Sequence, residues 1–337
     1  MLRFLPLLPP VSFILLLFVV FTLLYIALPR RRKLVLNMKH VVITGGSKGI
    51  GRELAFCCVR KGCNISIIAR NEDDLKKTHH DLQAAADRRG QQQKVHWYSL
   101  DLSKNYSEIE AVFDRIEHEL GPIHILINNA GTIVQGAFDD IPVSVFEDQM
   151  ALNFYTAVYP TRCVVPRMKG RGFGHISFVS SAAGQFAIWG YSSYSASKFA
   201  LRGLADAVQM ELLPYNISVS VLCPPNTETD VFKSFHGTTM PVIMRKMTAI
   251  AGIVTPEDVA ISHISDIENG HYLTTNGLMG WFLGVGTAGA SPERSLLQAF
   301  AQIFLAGLVR GILLLIIGYF NSLSRNQMAG KKQQESE

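Results

Sequence analysis

The side chains best suited to moving a proton in this chain are Tyr194 and Lys198. They stand four residues apart in a stretch that reads as helix, so they share a face and lie one turn from each other. A free tyrosine hydroxyl ionises near ~10. An ammonium beside it favours the phenolate and should lower that value, which would tune Tyr194 for proton transfer near neutral pH. A second set of candidates lies far upstream, in the turn Thr44-Gly45-Gly46-Ser47-Lys48-Gly49-Ile50-Gly51. Glycines there permit a tight turn and close approach of the backbone to a pyrophosphate, and a helix N-terminus behind them stabilises its charge. Gly45, Ser47, Lys48, Gly49, Ile50 and Gly51 are therefore candidate nucleotide contacts.

These groups need a scaffold that brings strand ends together. Residues 40–44 form a short β-branched run ended by Gly-Gly, and residues 50–61 read as a helix. Strand-like residues 64–69, a polar helix over 71–89, a strand over 94–99, a helix over 107–120 and a strand over 123–128 continue the alternation. Residues 175–179 and 218–222 are strand-like, with a helix over 194–212 between them. Strands alternating with helices imply an α/β fold, a doubly wound parallel sheet of the Rossmann type, which binds ligands at the C-terminal strand ends. At the end of the second strand a carboxylate commonly takes the adenosine 2′-OH of NAD. This chain has Ala69-Arg70 there, which suits the 2′-phosphate of NADPH, with Lys48 as a second cation.

The glycine spacing, Asn128-Asn129-Ala130-Gly131, and Ser181 thirteen residues before Tyr194-Ser195-Ala196-Ser197-Lys198 together resemble the short-chain dehydrogenase/reductase family over about residues 38–275. The resemblance implies a catalytic set of Asn153, Ser181, Tyr194 and Lys198. In it Ser181 bonds the substrate carbonyl oxygen as negative charge develops, and Lys198 also holds the nicotinamide ribose. Asn153 would hold a relay water, Asn129 would stabilise the sheet beside the cofactor, and Asp101 would contact adenine. Ser180 is the fallback if the turn is shifted by one. Pro224-Pro225-Asn226-Thr227-Glu228-Thr229 replaces the Pro-Gly loop of most relatives, leaving Thr227 and Thr229 as expected nicotinamide contacts. Residues 231–251, with Phe232, Phe235, Met240, Met244 and Met247, resemble a flexible lid for a lipophilic substrate.

The 337 residues suit one such domain of roughly 230–250 residues plus additions. Of all residues 48% are apolar, and two segments concentrate them. Residues 11–28 carry only Ser12, Thr22 and Tyr25 as polar members, and Arg30, Arg31, Arg32 and Lys33 follow at once. That pattern reads as a membrane anchor whose basic flank is cytosolic. Residues 296–320 are strongly apolar but contain Gln298, Gln302 and Arg310. They fit either a re-entrant hairpin with part of 272–290 or a helix lying in the interface. The expected organisation is an anchor and flank at 1–33, a reductase domain at 34–275, an apolar membrane-associated region at 276–325 and a polar tail at 326–337, unstructured over 331–337. The net charge of +5 is concentrated in the anchor's flank, which excludes a nucleic-acid surface. Cys57, Cys58, Cys63, Cys163 and Cys223 read as reduced, buried thiols, and no metal site is expected. The resemblance implies a long-chain lipid ketone reduced at the endoplasmic-reticulum membrane by a cytosol-facing domain. A membrane-bound steroid or retinoid dehydrogenase is the alternative, a scaffold that merely retains the nucleotide is a third reading, and a homo-oligomer is compatible with each.

Overall fold

A computed structural model describes residues 10–28, 32–88, 90, 93–236 and 240–334. Arg30 and Arg31 of the basic flank and the last three residues lie outside them. In chain order the elements are α1 (Pro10–Ala27), β1 (His40–Thr44), α2 (Gly49–Arg60), β2 (Asn64–Ala69), α3 (Glu72–Asp87), β3 (Val95–Ser99), α4 (Tyr106–Leu120) and β4 (Ile125–Asn128). Then come α5 (Val143–Met150), α6 (Thr156–Arg171), β5 (Gly174–Val179), α7 (Ser192–Leu212), β6 (Ile217–Cys223) and β7 (Asn226–Thr227). The chain continues through α8 (Asp230–His236), α9 (Val242–Thr248), β8 (Ile253–Val254), α10 (Pro256–Asn269), β9 (Leu273–Thr275), α11 (Gly277–Gly286) and α12 (Leu296–Gln334).

Seven strands form one parallel sheet in the order β3-β2-β1-β4-β5-β6-β9. Alternating side chains feed two cores, as a strand's twofold period requires. Val42, Ile68 and Leu126 pack with Phe113 of α4, Val164 of α6 and Leu201 of α7. Val41, Ile43, Ile65, Ile67, Ile125 and Ile127 face the other way, onto Leu54 of α2, Leu75 of α3 and Ile264 of α10. The sheet is thus covered on both faces, as expected. The order steps outward both ways from β1 and β4, so a crevice opens above their C-terminal ends, where such folds bind ligands. All five cysteines are free and buried.

Three regions differ from the sequence expectation. The stretch read as a single lid is two short helices, α8 and α9, and Met240, Met244 and Met247 are buried rather than mobile contacts. The side chain of Phe235 lies outside the described residues. The tail expected to be unstructured continues α12 as helix through Gln334. The apolar C-terminal region folds back as α11 and α12, which pack closely on each other: a Cβ on Gly286 would sit 2.7 Å from Leu313 Cδ1 and 2.8 Å from Val309 Cγ1, so a larger residue there would make these side chains shift. By length and composition, Leu296–Asn326 is the one described helical segment able to cross a membrane. Phe21 of α1 lies against Phe300 of α12, ring centroids 5.8 Å apart.

Candidate active site

The first turn of α7 carries Tyr194, and the next carries Lys198. The end of β5 runs directly beneath them, and Lys198 Nζ donates to the Val179 carbonyl at 3.0 Å. Ser180 and Ser181 follow that strand and have different tasks. Ser180 is buried and its hydroxyl donates to the Lys198 carbonyl at 2.8 Å, which ties the turn to α7. Ser181 is half-buried, accepts from the Ala183 amide at 3.1 Å, and hydrogen-bonds Tyr194. Ser181, not Ser180, is therefore the serine beside the tyrosine hydroxyl.

Burial raises the Tyr194 hydroxyl above the ordinary tyrosine value, with the Ser181 bond pulling the other way. Burial also lowers Lys198, to about 8. The ammonium was expected to pull Tyr194 down. It is instead turned onto Val179, 5.8 Å from the centre of the Tyr194 ring, and desolvation outweighs it. Tyr194 is thus a neutral hydroxyl at pH 7, a proton donor rather than a phenolate.

Asn153 sits in a π-helical turn, Ala151–Tyr155, between α5 and α6. Single π turns inside helices recur at functional sites because they re-aim a side chain. Here Asn153 is fully buried, accepts from the Thr132 amide at 2.8 Å, and donates to Ser197 at 3.0 Å and Gln149 at 3.2 Å. It fastens the turn after β4 to the helix bearing Tyr194. Gly131 makes this possible, since a Cβ there would lie 2.7 Å from Asn153 Oδ1 and 3.3 Å from Lys198 Nζ. Thr132, Gln149 and Ser197 were missed from the sequence. Ser197 stood within the Tyr194–Lys198 motif, but its partner lies 44 residues away.

The glycine turn lies on the same rim. Gly45 and Gly49 have φ of 64° and 54°, in the left-handed region that favours glycine, and Gly51 packs against the Gly45 carbonyl. Asn129 holds this turn, donating from Nδ2 to the Thr44 and Gly45 carbonyls at 3.0 and 3.1 Å. No side chain caps the N-terminus of α2, so its first amides are available to an anion. Ser47 begins this approach and its carbonyl accepts from Thr78 at 2.7 Å. Lys48 pairs with Asp74 at 2.7 Å, and Arg70 is exposed at the end of β2. Asp101 is ionised more readily than usual: burial opposes this, but Ser103 hydrogen bonds and the charges of Arg70 and Lys104 outweigh it. Thr227 donates to the Pro225 carbonyl at 3.0 Å, and a Cβ on Gly49 would come within 3.1 Å of Thr229, so the Pro-Pro loop closes over the glycine turn.

Gly45, Lys48, Gly49, Ile50, Asn129, Thr227 and Thr229 line one cavity of about 370 Å³ together with Ser181, Tyr194 and Lys198, whereas Ser47, Gly51, Arg70, Asp101 and Asn153 stand outside its lining. Its far end is apolar, lined by Phe186, Ile188, Met247, Met279, Leu283 and Ile316, among others. Among the described residues no cluster of His, Cys, Asp or Glu could hold a metal ion.

The model of the short chain dehydrogenase family matches residues 39–239. The chain belongs to the short-chain dehydrogenase family. A zebrafish (Danio rerio) 3-dehydrosphinganine reductase is 39% identical over 96% of this chain and 95% of its own. A bovine (Bos taurus) 3-ketodihydrosphingosine reductase is 39% identical over 97% and 96%. A solved short-chain dehydrogenase/reductase from Burkholderia phymatum, in complex with NAD, superposes with a TM-score of 0.63 at 22% identity, covering 72% of this chain and 90% of that one. That likeness concerns the fold. The family is one of nicotinamide-dependent oxidoreductases, and the glycine cradle and uncapped helix N-terminus fit such a dinucleotide.

Proposed function

We propose that this chain reduces the 3-keto group of 3-ketodihydrosphingosine to dihydrosphingosine, with NADPH as reductant. The observation that carries this reading is the cavity itself. A neutral tyrosine hydroxyl, a serine and a lysine stand at one end, and an apolar chamber extends from them. A ketone next to a polar amino-alcohol head and a long alkyl chain matches both ends.

Bound NADPH supplies the hydride. Tyr194 donates its hydroxyl proton to the carbonyl oxygen while Ser181 holds that oxygen as charge develops on it. Lys198 keeps a positive charge beneath Tyr194 and would donate hydrogen bonds to the ribose hydroxyls. Asn153 keeps the turn after β4 and α7 in register and, by the family likeness, serves the proton relay. Arg70 and Lys48 supply cations for the 2′-phosphate, and Asp101 the adenine contact. Gly45, Ser47, Gly49, Ile50, Gly51, Asn129 and Thr227 line the dinucleotide's path.

The domain division proposed is anchor, reductase domain ending with β9, and an apolar C-terminal region. The exposed apolar side chains of α1, such as Phe18, Leu23 and Ile26, support a membrane-bound enzyme, proposed to sit at the endoplasmic reticulum with its domain in the cytosol. The test is turnover by the purified full chain with NADPH. The long-chain ketone should be reduced much faster than a ketosteroid or retinal. Good ketosteroid turnover with no reduction of the sphingoid ketone would overturn the assignment.

A further inference from the structure

The family model matches residues 39–239, so α12 lies beyond it, and the two sides of this helix are unlike. Leu313 is 2% exposed and Phe320 8%, while Leu315 between them is 76% exposed. The inner stripe runs through Val309, Leu313, Ile316 and Phe320, helical spacing that keeps one side of α12 against the protein over this stretch. Leu313, Ile316 and Phe320 reach the cavity that holds Tyr194, and the Phe186 ring lies tilted against Phe320 with centroids 5.8 Å apart. The outer stripe, Leu297, Phe304, Leu308 and Leu315, is exposed and apolar.

The attachment of α12 is polar and specific. Arg202, one turn beyond Lys198 on α7, donates to the Gly184 and Thr287 carbonyls at 3.2 Å each. Ser291 donates to Asp206, also on α7, at 2.8 Å. Arg294 is buried and donates to Gln209 of the same helix. The connection between α11 and α12 is thus fastened to the catalytic helix. A helix pressed along a water-soluble sheet domain and pinned this way cannot also stand across a bilayer, because its inner side would have to be surrounded by lipid.

We propose that α12 lies in the plane of one leaflet, with its outer stripe in lipid and its inner stripe forming the wall that receives the alkyl tail of the ketone substrate. The occupant of the inner wall is the tail because the wall is continuous with the chamber beside Tyr194 and Ser181 and is built of branched and aromatic apolar side chains. The occupant of the outer stripe is hydrocarbon, since these four leucine and phenylalanine side chains continue towards the exposed apolar surface of α1 through the Phe21–Phe300 contact. One helix would then link the leaflet, where a long-chain lipid dissolves, to the site that reduces it. The tail assignment rests on the lipid-ketone reading given above.

Two measurements on the full-length chain in phospholipid vesicles test it. Nitroxide labels on Leu297→Cys, Leu308→Cys and Leu315→Cys should report equal bilayer depths. A spanning helix would instead separate the first and last by roughly 27 Å, at about 1.5 Å per residue, and would overturn the in-plane placement. For the wall, a long-chain 3-keto substrate bearing a diazirine at its tail end is irradiated with the NADP⁺-loaded enzyme. Adducts are expected within residues 309–323 and should be competed by unlabelled ketone. Adducts confined to other segments would overturn the wall. Ile316→Trp should also lower kcat/KM for long tails at least tenfold more than for short ones, whereas an equal loss for both would count against the wall. Failure of the unmodified enzyme to reduce any sphingoid ketone would sink the functional reading instead, and the depth measurement would stand apart from it.

Discussion

Lys198→Met should make the cofactor-free protein more stable at neutral pH while destroying its activity. Lys198 is 4% exposed, and burial lowers it from 10.5 to about 8. One unit corresponds to about 1.4 kcal/mol, so holding the charged form in the native state costs roughly 3 kcal/mol at pH 7. Methionine has a similar length and no charge. Against that gain stands the lost bond to Val179, which leaves a carbonyl unpaired at a cost of about 1–2 kcal/mol. The net expectation is a gain of about 1–2 kcal/mol, or roughly 2–8 °C in Tm. Between about pH 8 and 10.5 the unfolded chain still binds a proton that native Lys198 has released, so wild-type stability rises with pH across that window. The advantage of Lys198→Met should therefore shrink above pH 8, vanish near pH 9 and become a deficit of about 1–2 kcal/mol near 10.5, where only the lost Val179 bond remains. Thermal unfolding of both proteins in detergent, followed by tryptophan fluorescence at pH 7 and pH 10, measures this. A variant less stable than wild type at pH 7, or a difference that does not change with pH, would refute the buried-charge reasoning. Added NADPH should raise the Tm of wild type more than that of the variant.

Tyr194→Phe keeps the ring and removes the donated proton, so kcat should fall by at least 10²–10⁴-fold with NADPH binding by fluorescence titration still measurable. Near-normal turnover would exclude Tyr194 as the acid. Arg70→Asp should raise the NADPH KM strongly and leave that for NADH almost unchanged, since charge-assisted bonds to a phosphate are worth about 1.5–3 kcal/mol. Equal losses with both cofactors would remove Arg70 from the 2′-phosphate site. Asn64, Asn105 and Asn216 head three glycosylation sequons. With a cytosolic domain none is modified, so endoglycosidase should leave microsomal protein unshifted and external protease should digest the core.

Much of the sheet was legible because buried parallel strands are short β-branched runs with hard stops. The strand over residues 64–69 matches β2, and that over 175–179 falls one residue short of β5. The catalytic pair was legible for a similarly local reason, four-residue spacing on one helix. The helices α5 and α6 were not. Pro160 and Pro166 lie inside α6, and a proline in a sequence argues against helix because it removes a backbone donor. Here the π turn just ahead of Thr156 changes the hydrogen-bond pattern where the helix begins, and packing on the sheet holds the rest. The same turn delivers Asn153, whose partners Thr132 and Ser197 come from separate elements. Nothing in the residue types announces that meeting. The rise of Tyr194 escaped for another reason: an i, i+4 lysine says that a charge is near, but burial of the hydroxyl and the direction of the ammonium depend on β5, which the spacing does not encode.

Hydropathy decided least at α12, where a re-entrant hairpin and a helix in the interface both stayed open, and the cause is general. A span in lipid is apolar all round because one solvent surrounds it. A helix with lipid on one side and an apolar cavity on the other has the same composition, although its two sides have different partners. Arg310 offered a clue in the sequence, since a charge near the middle of a span is expensive. In the fold Arg310 is exposed and lies about 100° around the helix from the buried Val309, on the flank between the inner and outer stripes, so its charge can reach an aqueous or headgroup boundary on a helix lying flat. An in-plane helix accommodates this charge without a partner inside the hydrocarbon, and a spanning one does not. The position of Arg310 therefore favours the same placement as the buried inner stripe, by an argument independent of the substrate.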